Sequence, residues 1–420
     1  MMEYFAFYFC VAIFTAHILM TIIIASRQLL ISLYIRFSKK ETVFKIYNMT
    51  TLPDVAIIIP AHNEEKVLAE GLAAMLRLEY PAGKLKIVVV NDRSSDRTGE
   101  IADEFAFGHP SVQVLHRPMD AMPGKSAALK DALCLIESDI LVFFDADYLP
   151  EPSLLKRLVA PFSDPEVGAT MGRVMPYNSN TNLLTRLVDL ERRAGYVVDQ
   201  QARSLLHFLP QFGGTVGGIR NSALNSVGGW RGNTLTEDTD ITYRLFLGGW
   251  TVEYLNEAFC AEESPESWLV RFRQVRRWAY GHNQCLARYF FKVIACAKQR
   301  PMARLDAAII LLFYFYPALT CLSLVLSLMY PLFFAYPPFH VIFAISVAFF
   351  TGYGNLSPYF QVIVATQRDG QLEALRTLPL LFVSSAISML ASLSALVELL
   401  KTAMSRSEMA WDKTARYRSA

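Results

Sequence analysis

Asp145 and Asp147 stand one residue apart at the end of the apolar run Leu141-Val142-Phe143-Phe144. Two hard carboxylate ligands at that spacing suit a divalent cation that also holds substrate phosphates, the manner of Mg2+ or Mn2+. The other reading of an Asp after a strand is a helix cap or a turn residue. A second acidic group, Thr236-Glu237-Asp238-Thr239-Asp240, precedes the apolar stretch Ile241–Leu247. It reads as a helix start with Thr236 as cap and the acids favouring the dipole, and such a start also fixes carboxylates rigidly. Asp92 closes another apolar run, and Gln274, Arg276, Arg277 and Trp278 lie in a basic, aromatic stretch farther on.

The elements that must position these residues follow from the apolar pattern. Four to eight apolar residues without alternation read as a strand buried on both faces of a parallel sheet. Ligands of such sheets bind beyond the carboxyl ends of the strands, where Asp145 and Asp147 emerge. Val55–Ile59, stopped by Pro60, is a first strand, and Lys86–Val90, ending in Asn91-Asp92, a second. Val112–Leu115 is a weaker third, and Leu141–Phe144 completes the set. Asn63, Glu64 and Glu65 open an amphipathic helix with Val67, Leu68, Leu72 and Met75 on one face. Arg93–Asp96 turns into a helix capped by Ser95 or Asp96, and Gly124-Lys125-Ser126 precedes an Ala/Leu-rich helix. Strand alternating with helix, four times over, predicts an α/β domain with a largely parallel sheet.

The chain has 420 residues, 53% hydrophobic and 19% charged, with a mean hydropathy of +0.28 and a formal net charge of +2. It is too apolar for a wholly soluble protein, and the charge implies no bulk affinity for polyanions. Tyr4–Ile24 has no charged group and is long enough to cross a bilayer, which takes ~20 residues. A cleaved signal peptide fits less well, because no basic residue precedes the run and the run is too long. Arg27, Arg36, Lys39 and Lys40 follow, so the next domain is expected in the cytoplasm. Leu305–Phe334, Phe339–Ala365 and Leu378–Leu400 are further candidate spans. Pro317 and Pro331 can kink or end the first of these, and Tyr336-Pro337-Pro338 separates it from the second. Six scattered cysteines without a CxxC pair support neither a disulfide framework nor a zinc site.

Two phosphate-loop readings are excluded. Gly124-Lys125-Ser126 looks like the end of a Walker A loop, yet the position of its first glycine holds Met119. Gly213–Gly218 lacks the GxGxxG spacing and lies far from the first strand, so neither an ATPase nor a dinucleotide enzyme is supported. Glu266–Lys298, with Trp268, Arg271, Arg273 and Tyr280, reads as an interfacial helix on the inner leaflet. No nucleic-acid partner is expected, because this segment leads directly into a span and the net charge is small.

Asp92, Asp145-Ala146-Asp147 (DxD), Thr236-Glu237-Asp238 (TED) and Gln274-Val275-Arg276-Arg277-Trp278 (QxxRW) together resemble the family 2 glycosyltransferases. Within that family the likeness is to the membrane-embedded processive synthases of cellulose, hyaluronan, chitin oligosaccharides and poly-N-acetylglucosamine. It covers about residues 52–300, and the spans only in arrangement. The resemblance implies a GT-A fold and inverting transfer from a UDP-sugar with Mg2+ or Mn2+. It implies that Ala61, Asn63, Glu64 and Asp92 line a uridine pocket and that Lys125 meets the diphosphate. Asp147 would hold the metal, with Asp145 beside it contacting metal, nucleotide or sugar. Gln274 and Arg277 would hold the diphosphate, and Trp278 would be the platform for an acceptor sugar. Phe212-Gly213-Gly214-Thr215 would wall the acceptor terminus. Asp238 would be the general base, and the flanking Glu237 and Asp240 leave a swap of roles open. An interfacial anchor for Trp278 and a solvated helix-start lysine for Lys125 are the alternatives. The implied chemistry is coherent: inversion needs one base opposite the leaving group, and a cation with Lys125 and Arg277 can neutralise the departing diphosphate.

On this reading the chain divides into a membrane helix and basic flank (1–40), a cytoplasmic GT-A domain (52–265) and amphipathic interface helices (266–300). A transmembrane region (305–400) and a basic tail (401–420) complete it. Three spans after the enzyme would leave the tail outside, whereas Lys401, Arg406, Lys413, Arg416 and Arg418 favour the cytoplasm. A re-entrant Leu378–Leu400, rich in serine, reconciles the two. Trp411–Arg416 looks like the short loops that close over the nucleotide in relatives, or else is an ordinary basic tail. Asn355, Tyr359 and Gln361, polar groups at membrane depth, are expected to line a sugar-conducting path. The leading expectation is a processive synthase that exports a β-linked glycan. The alternative is transfer of a single sugar to a membrane lipid. A transport or scaffold protein would leave every carboxylate motif unexplained.

Overall fold

The computed structural model describes residues 2–39, 52–232, 235–333 and 348–405, with 341 and 345. The Trp411–Arg416 segment lies outside the described residues. The catalytic part is built on one eight-stranded sheet. In spatial order its strands are β3 (Val112–His116), β2 (Leu85–Asn91), β1 (Val55–Ala61), β4 (Ile140–Phe143), β7 (Gly217–Arg220), β6 (Val167–Pro176), β8 (Thr251–Glu262) and β5 (Leu149–Pro150). The first four in chain order are mutually parallel, as the alternation of strand and helix predicts. β7 runs antiparallel to both its neighbours, β4 and β6, while β6 and β8 are parallel.

The unbroken apolar runs are explained by burial on both faces. Val55, Ile57 and Ile59 of β1 enter one core with Val142, and Ala56 and Ile58 enter the other with Leu141 and Phe143. β1 does not stop at Pro60 but runs to Ala61, paired with Asn91. Phe144 N–H donates to Ile58 O, so a Pro60 N–H would face the same side, beyond the end of β4 at Phe143. A proline there forfeits no ladder hydrogen bond. Asn63 and Glu64 belong to a turn rather than to the helix, which starts at Leu68; Val67, Leu68, Leu72 and Met75 are buried as the periodicity predicts. Asp96, not Ser95, accepts the Thr98 N–H at 3.0 Å and serves the start of helix Thr98–Gly108.

The basic aromatic segment departs from expectation. It forms one helix, Trp268–Ile294, whose middle is buried at Val275, Ala279, Tyr280, His282 and Cys285. It lies against the last helix, Leu381–Ser405, through Tyr280–Thr402 hydroxyls 2.9 Å apart and an Arg276–Glu398 ion pair at 3.8 Å. A leaflet surface cannot be the partner of that buried stretch, because protein already covers it.

Among the described residues, two helices are long and apolar enough to cross a membrane, Phe7–Phe37 and Leu372–Met404. A third candidate is a pair, Pro301–Leu311 and Phe315–Met329, bent by 50°. The bend falls before Pro317, which sits in the first turn of the second piece, where a missing N–H costs little. The 378–400 stretch is thus part of a longer helix, Leu372–Met404, that suffices by length and composition to cross a membrane; its Ser384 donates to Glu191. The described part of 339–365 is a π-helix, Phe349–Gly354, continuing into helix Asn355–Asp369.

Candidate active site

The carboxyl ends of β1, β2 and β4 open into a cavity of about 780 Å³, closed on the far side by the start of helix Glu237–Gly248 and by helix Trp268–Ile294. β4 delivers Asp145 and Asp147 to its floor, as the strand pattern predicts. Helix Leu68–Leu76 fixes this turn from below: a Cβ on Gly71 would fall inside contact distance of the Ala146 carbonyl oxygen. Asp145 accepts a hydrogen bond from Lys125 Nζ at 2.6 Å, and its N–H donates to Thr215 Oγ1 at 3.3 Å. Lys125 also donates to Gly214 O at 3.3 Å. Burial alone would lower the Lys125 pKa, but Asp145, Glu237 and Asp238 outweigh it and hold the ammonium charged. It is therefore a cation built into the cavity wall, not a solvated helix-start lysine.

Asp145 and Asp147 offer only hard oxygen ligands, which fits Mg2+ or Mn2+ and not a thiophilic ion. Among the described residues no group of three or more His, Cys, Asp or Glu side chains could hold a metal. A cation held here would therefore draw its remaining ligands from a diphosphate or water, as Mg2+ sites commonly do.

The TED segment meets this floor from the opposite side. Asp238 Oδ1 accepts the Thr239 N–H at 2.7 Å, and Gly214, at φ +72°, lies so close that a Cβ there would sit 3.1 Å from Asp238 Cβ. Burial, then the adjacent Glu237 charge, pushes the Asp238 carboxyl up to about 6, against the opposing pull of Thr239 N–H, Lys125 and Arg277. Glu237 accepts from Ser126 Oγ at 2.9 Å. Asp240 points elsewhere: it is 1% exposed and accepts from Arg244 Nε at 2.7 Å and Arg288 at 3.0 Å. Burial would raise its pKa, but Tyr289 and Arg244 hold it below the usual carboxylate value. Asp240 is thereby removed from the choice of base. Thr236 makes no side-chain cap; it packs over Gly281, where a Cβ would lie 2.5 Å from its Oγ1.

At the ends of β1 and β2, Ala61, Glu64 and Asp92 line the cavity. Asp92 is already tied to Arg117, to Arg93 Nε at 3.0 Å and to the Gly124 N–H at 3.1 Å. Burial opposes ionisation there, yet these partners keep its pKa low. Asn63 is not part of the wall. With φ +52° its side chain turns to accept the Ser95 N–H at 2.8 Å, and the neighbouring His62 faces the cavity instead. Sequence reasoning missed His62 because the turn's handedness decides which of the two points inward.

Gln274, Arg277 and Trp278 also reach the cavity. The Gln274 side-chain Oε1 accepts from Arg271 at 2.9 Å, and Arg271 is paired with Glu191. The Trp278 ring has the guanidinium carbons of Arg271 and Arg192 at 5.4 and 5.6 Å from its centroid. It is thus a cation–π partner of the protein itself, which departs from an open sugar platform. Arg192, in turn, pairs with Glu262 at 2.7 Å, whose other oxygen accepts from Tyr148 at 2.9 Å. Arg192, Glu262 and Tyr148 all face the cavity and carry no sequence signal, coming from separate elements. Gly213 and Thr215 line it too, whereas Gly214 acts through Asp238 and Lys125. Val216 after them adopts φ +47°, a strained angle for a β-branched residue, and its carbonyl accepts the Gly172 N–H at 2.7 Å. Asn355, Tyr359 and Gln361 do not line it; Gln361 donates to the Ala194 carbonyl at 3.2 Å.

The family described as glycosyltransferase like family 2 matches residues 53–281, the segment that carries Asp92, the DxD pair, the TED segment and Gln274, Arg277 and Trp278. The chain belongs to that family. A probable glycosyltransferase, YdaM, of Bacillus subtilis is 37% identical over 251 residues, 59% of this chain and 60% of that protein. A beta-monoglucosyldiacylglycerol synthase of Trichormus variabilis is 35% identical over 234 residues, 56% of this chain and 50% of that one. A probable glucomannan 4-beta-mannosyltransferase of Arabidopsis thaliana is 32% identical over 250 residues, 58% of this chain and 45% of that one. The chain thus matches between about half and three fifths of the length of these curated relatives. The fold is that of a mannosyltransferase of Pyrobaculum calidifontis solved with GDP-Man and Mn2+, at a TM-score of 0.58 and 20% identity over 89% of this chain and 99% of that one. The GT-A fold of this family 2 chain agrees with the expectation from its motifs.

Proposed function

We propose that this family 2 glycosyltransferase is an inverting hexosyltransferase that moves a sugar from a nucleotide-sugar, expected to be a UDP-sugar, to a membrane lipid acceptor. The observation that carries the chemistry is Asp238, a buried carboxyl with a pKa of about 6, in one cavity with the Lys125–Asp145 pair. Its Oδ1 is held by Thr239, which orients the side chain. Glu237 is engaged by Ser126, which supports Asp238 as the base and Glu237 as the group that tunes it. Asp238 takes the proton of the acceptor hydroxyl as that oxygen attacks the anomeric carbon from the face opposite the diphosphate. Lys125 and Arg277 receive the charge that develops on the departing diphosphate. Asp147 and Asp145 would hold Mg2+ or Mn2+, which when bound neutralises phosphate oxygens. Ala61, Glu64 and Asp92 would face the base and ribose.

The lipid acceptor is favoured by the diacylglycerol named for one relative. It is favoured further because two of the three groups expected to line a sugar-conducting path are engaged inside the protein, Tyr359 in packing and Gln361 with the Ala194 carbonyl. Polymerisation of a β-linked glycan is the second reading, favoured by the QxxRW motif and by the glucomannan named for another relative. The apolar helices support an integral membrane protein, and the basic Arg36, Lys39 and Lys40 that follow the first of them support a cytoplasmic catalytic domain.

The test is nucleoside diphosphate release by the full chain in detergent, with Mn2+ or Mg2+, across UDP-sugars and GDP-mannose, with and without diacylglycerol. Turnover with one donor, lost to a chelator and lowered at least about 10²-fold by Asp238→Asn without loss of donor binding, supports the reading. Near-normal turnover of Asp238→Asn removes it. A product that migrates as one-sugar lipid on a thin-layer plate supports the lipid acceptor, and long polymer on a gel the second reading.

A further inference from the structure

The cavity has a further wall to which the chemistry at Asp238 assigns no task. It is one helical run, Leu183–Arg193 continuing to Gln201–Leu205, whose middle, Ala194–Gln200, is wound as a π-helix. Such winding is rare and recurs at functional sites. Here Gly195, Tyr196, Asp199 and Arg203 all line the cavity, with Tyr314 on its lining as well. Gln211 joins this wall to the base. Gln200 Nε2 donates to the Gln211 carbonyl at 2.8 Å, and Gln211 Nε2 donates to Thr239 Oγ1 at 3.0 Å, one residue from Asp238. Arg27 of the first apolar helix pairs with Asp199 at 2.6 Å. The wall is therefore tied to the catalytic carboxylate at one point and to an apolar helix at another.

Two properties of the wall define its occupant. The first is room. Gly195 lines the cavity, and a Cβ on it would meet nothing within 4 Å among the described residues, so open space stands where any other side chain would project. A single hydroxymethyl group needs no such space, whereas a hexose ring does. The Tyr196 and Tyr314 rings offer such a ring an apolar face with a polar tip. The second property is charge. Arg203 pairs with Asp199, Arg192 with Glu262 at 2.7 Å, and Glu191 with Arg271, while Glu263 adds another carboxylate to the lining. A phosphate-bearing headgroup would have to draw a guanidinium away from its carboxylate and leave like charges together in a poorly hydrated wall. Neutral hydroxyls make no such demand, because paired guanidinium and carboxylate groups keep N–H donors and oxygen lone pairs to spare.

We propose that the 191–203 wall selects an uncharged, hexose-bearing lipid as acceptor over an anionic phospholipid, with Gly195 setting the size of headgroup admitted. This rests on the lipid reading above and narrows it. The acceptor hydroxyl that Asp238 deprotonates then belongs to a sugar already on the lipid. A reaction that places a first hexose on the lipid must supply this substrate, and the transfer described here adds the next one.

The test gives the full chain in detergent, with the donor that supports nucleoside diphosphate release, one of three acceptors: diacylglycerol, a monohexosyl-diacylglycerol or phosphatidylglycerol. The last offers glycerol hydroxyls behind a phosphodiester. The expected result is a kcat/KM for the hexosyl lipid at least about tenfold above both others. Gly195→Ala and Gly195→Leu should raise the KM for that lipid stepwise with side-chain size, by on the order of tenfold for Leu, with kcat less affected. An alanine in a helix also restricts the unfolded chain, so the melting temperature of Gly195→Ala should hold or rise while KM rises. Phosphatidylglycerol used as well as the hexosyl lipid overturns the selection by charge. A KM that Gly195→Leu leaves unchanged, or one that rises only together with a loss of melting temperature, overturns the role of Gly195. Diacylglycerol glycosylated in preference to the hexosyl lipid overturns this inference alone, whereas long polymer without any lipid product overturns the lipid reading and this inference with it.

Discussion

The acid limb of the pH–rate profile is where the Asp238 assignment is most exposed. A base must be ionised to work, and a carboxyl with a pKa of about 6 is roughly nine-tenths ionised at pH 7 and one-tenth at pH 5. The apparent kcat/KM of the free enzyme should thus fall roughly tenfold per unit below pH 6, two units above where an ordinary Asp would give its limb. The causes of the shift tell which way each neighbour should move it. Glu237 is a like charge that disfavours ionisation, so Glu237→Gln lowers the pKa and carries the limb to more acidic pH, by on the order of half a unit to one unit. Lys125 is an opposite charge that favours ionisation, so Lys125→Met carries the limb the other way, whatever it does to the maximal rate. The assay is initial-rate nucleoside diphosphate release at low donor from pH 4.5 to 8.5, fitted for the position of the limb and not for its height. A flat profile from pH 5 to 7 would refute the argument. So would a limb that Glu237→Gln leaves in place, because the ionising group would then lie outside the reach of Glu237.

Two further substitutions probe the frame around this site. Gly71→Ala pushes a methyl group into the Ala146 carbonyl and must displace the Asp145–Asp147 turn, so the Mn2+ concentration giving half-maximal rate rises while the fold persists; an unchanged metal titration refutes the contact. Arg27→Met strands Asp306, which is 5% exposed and otherwise paired at 2.6 Å, and costs about 3–5 kcal/mol of stability, read as a lower melting temperature in detergent. Arg27→Met with Asp306→Leu should recover much of that loss, because the unpaired charge is gone; a double variant no better than the single one sinks the pairing argument.

What the sequence made legible is what periodicity and local chemistry control. The strands of β1, β2 and β4 announce themselves because each is buried on both faces, and a strand that ends in carboxylates has only one end at which to offer them. The TED carboxylates are legible as a rigid helix start for the same local reason. What escaped depends on approach between distant elements. Nothing in the sequence near Gly71 says that a carbonyl of the DxD turn will rest on it. Nothing near Arg192, Glu262 or Tyr148 says that three elements will join them into one cavity wall. His62 and Asn63 exchanged places because one positive φ angle reverses which side chain faces inward. The interfacial reading of Glu266–Lys298 failed in its middle because an amphipathic helix does not reveal whether lipid or protein will cover it.

That last point bears on how the cavity is tied to the apolar helices. Arg271 holds the Gln274 oxygen, pairs with Glu191 and lies over Trp278, and Glu191 also accepts from Ser384 on the final apolar helix. On the other flank, Asp199 lines the cavity and pairs with Arg27 of the first apolar helix. Charge-assisted bonds therefore run from both apolar helices to opposite walls of the cavity, through side chains that are at least half buried and weakly screened. A pair between exposed groups would transmit little, because water would replace either partner at small cost. Here Arg27 and Arg271 cannot be removed without leaving a buried carboxylate short of a partner, so the geometry of the cavity is set jointly by the sheet and by the apolar helices.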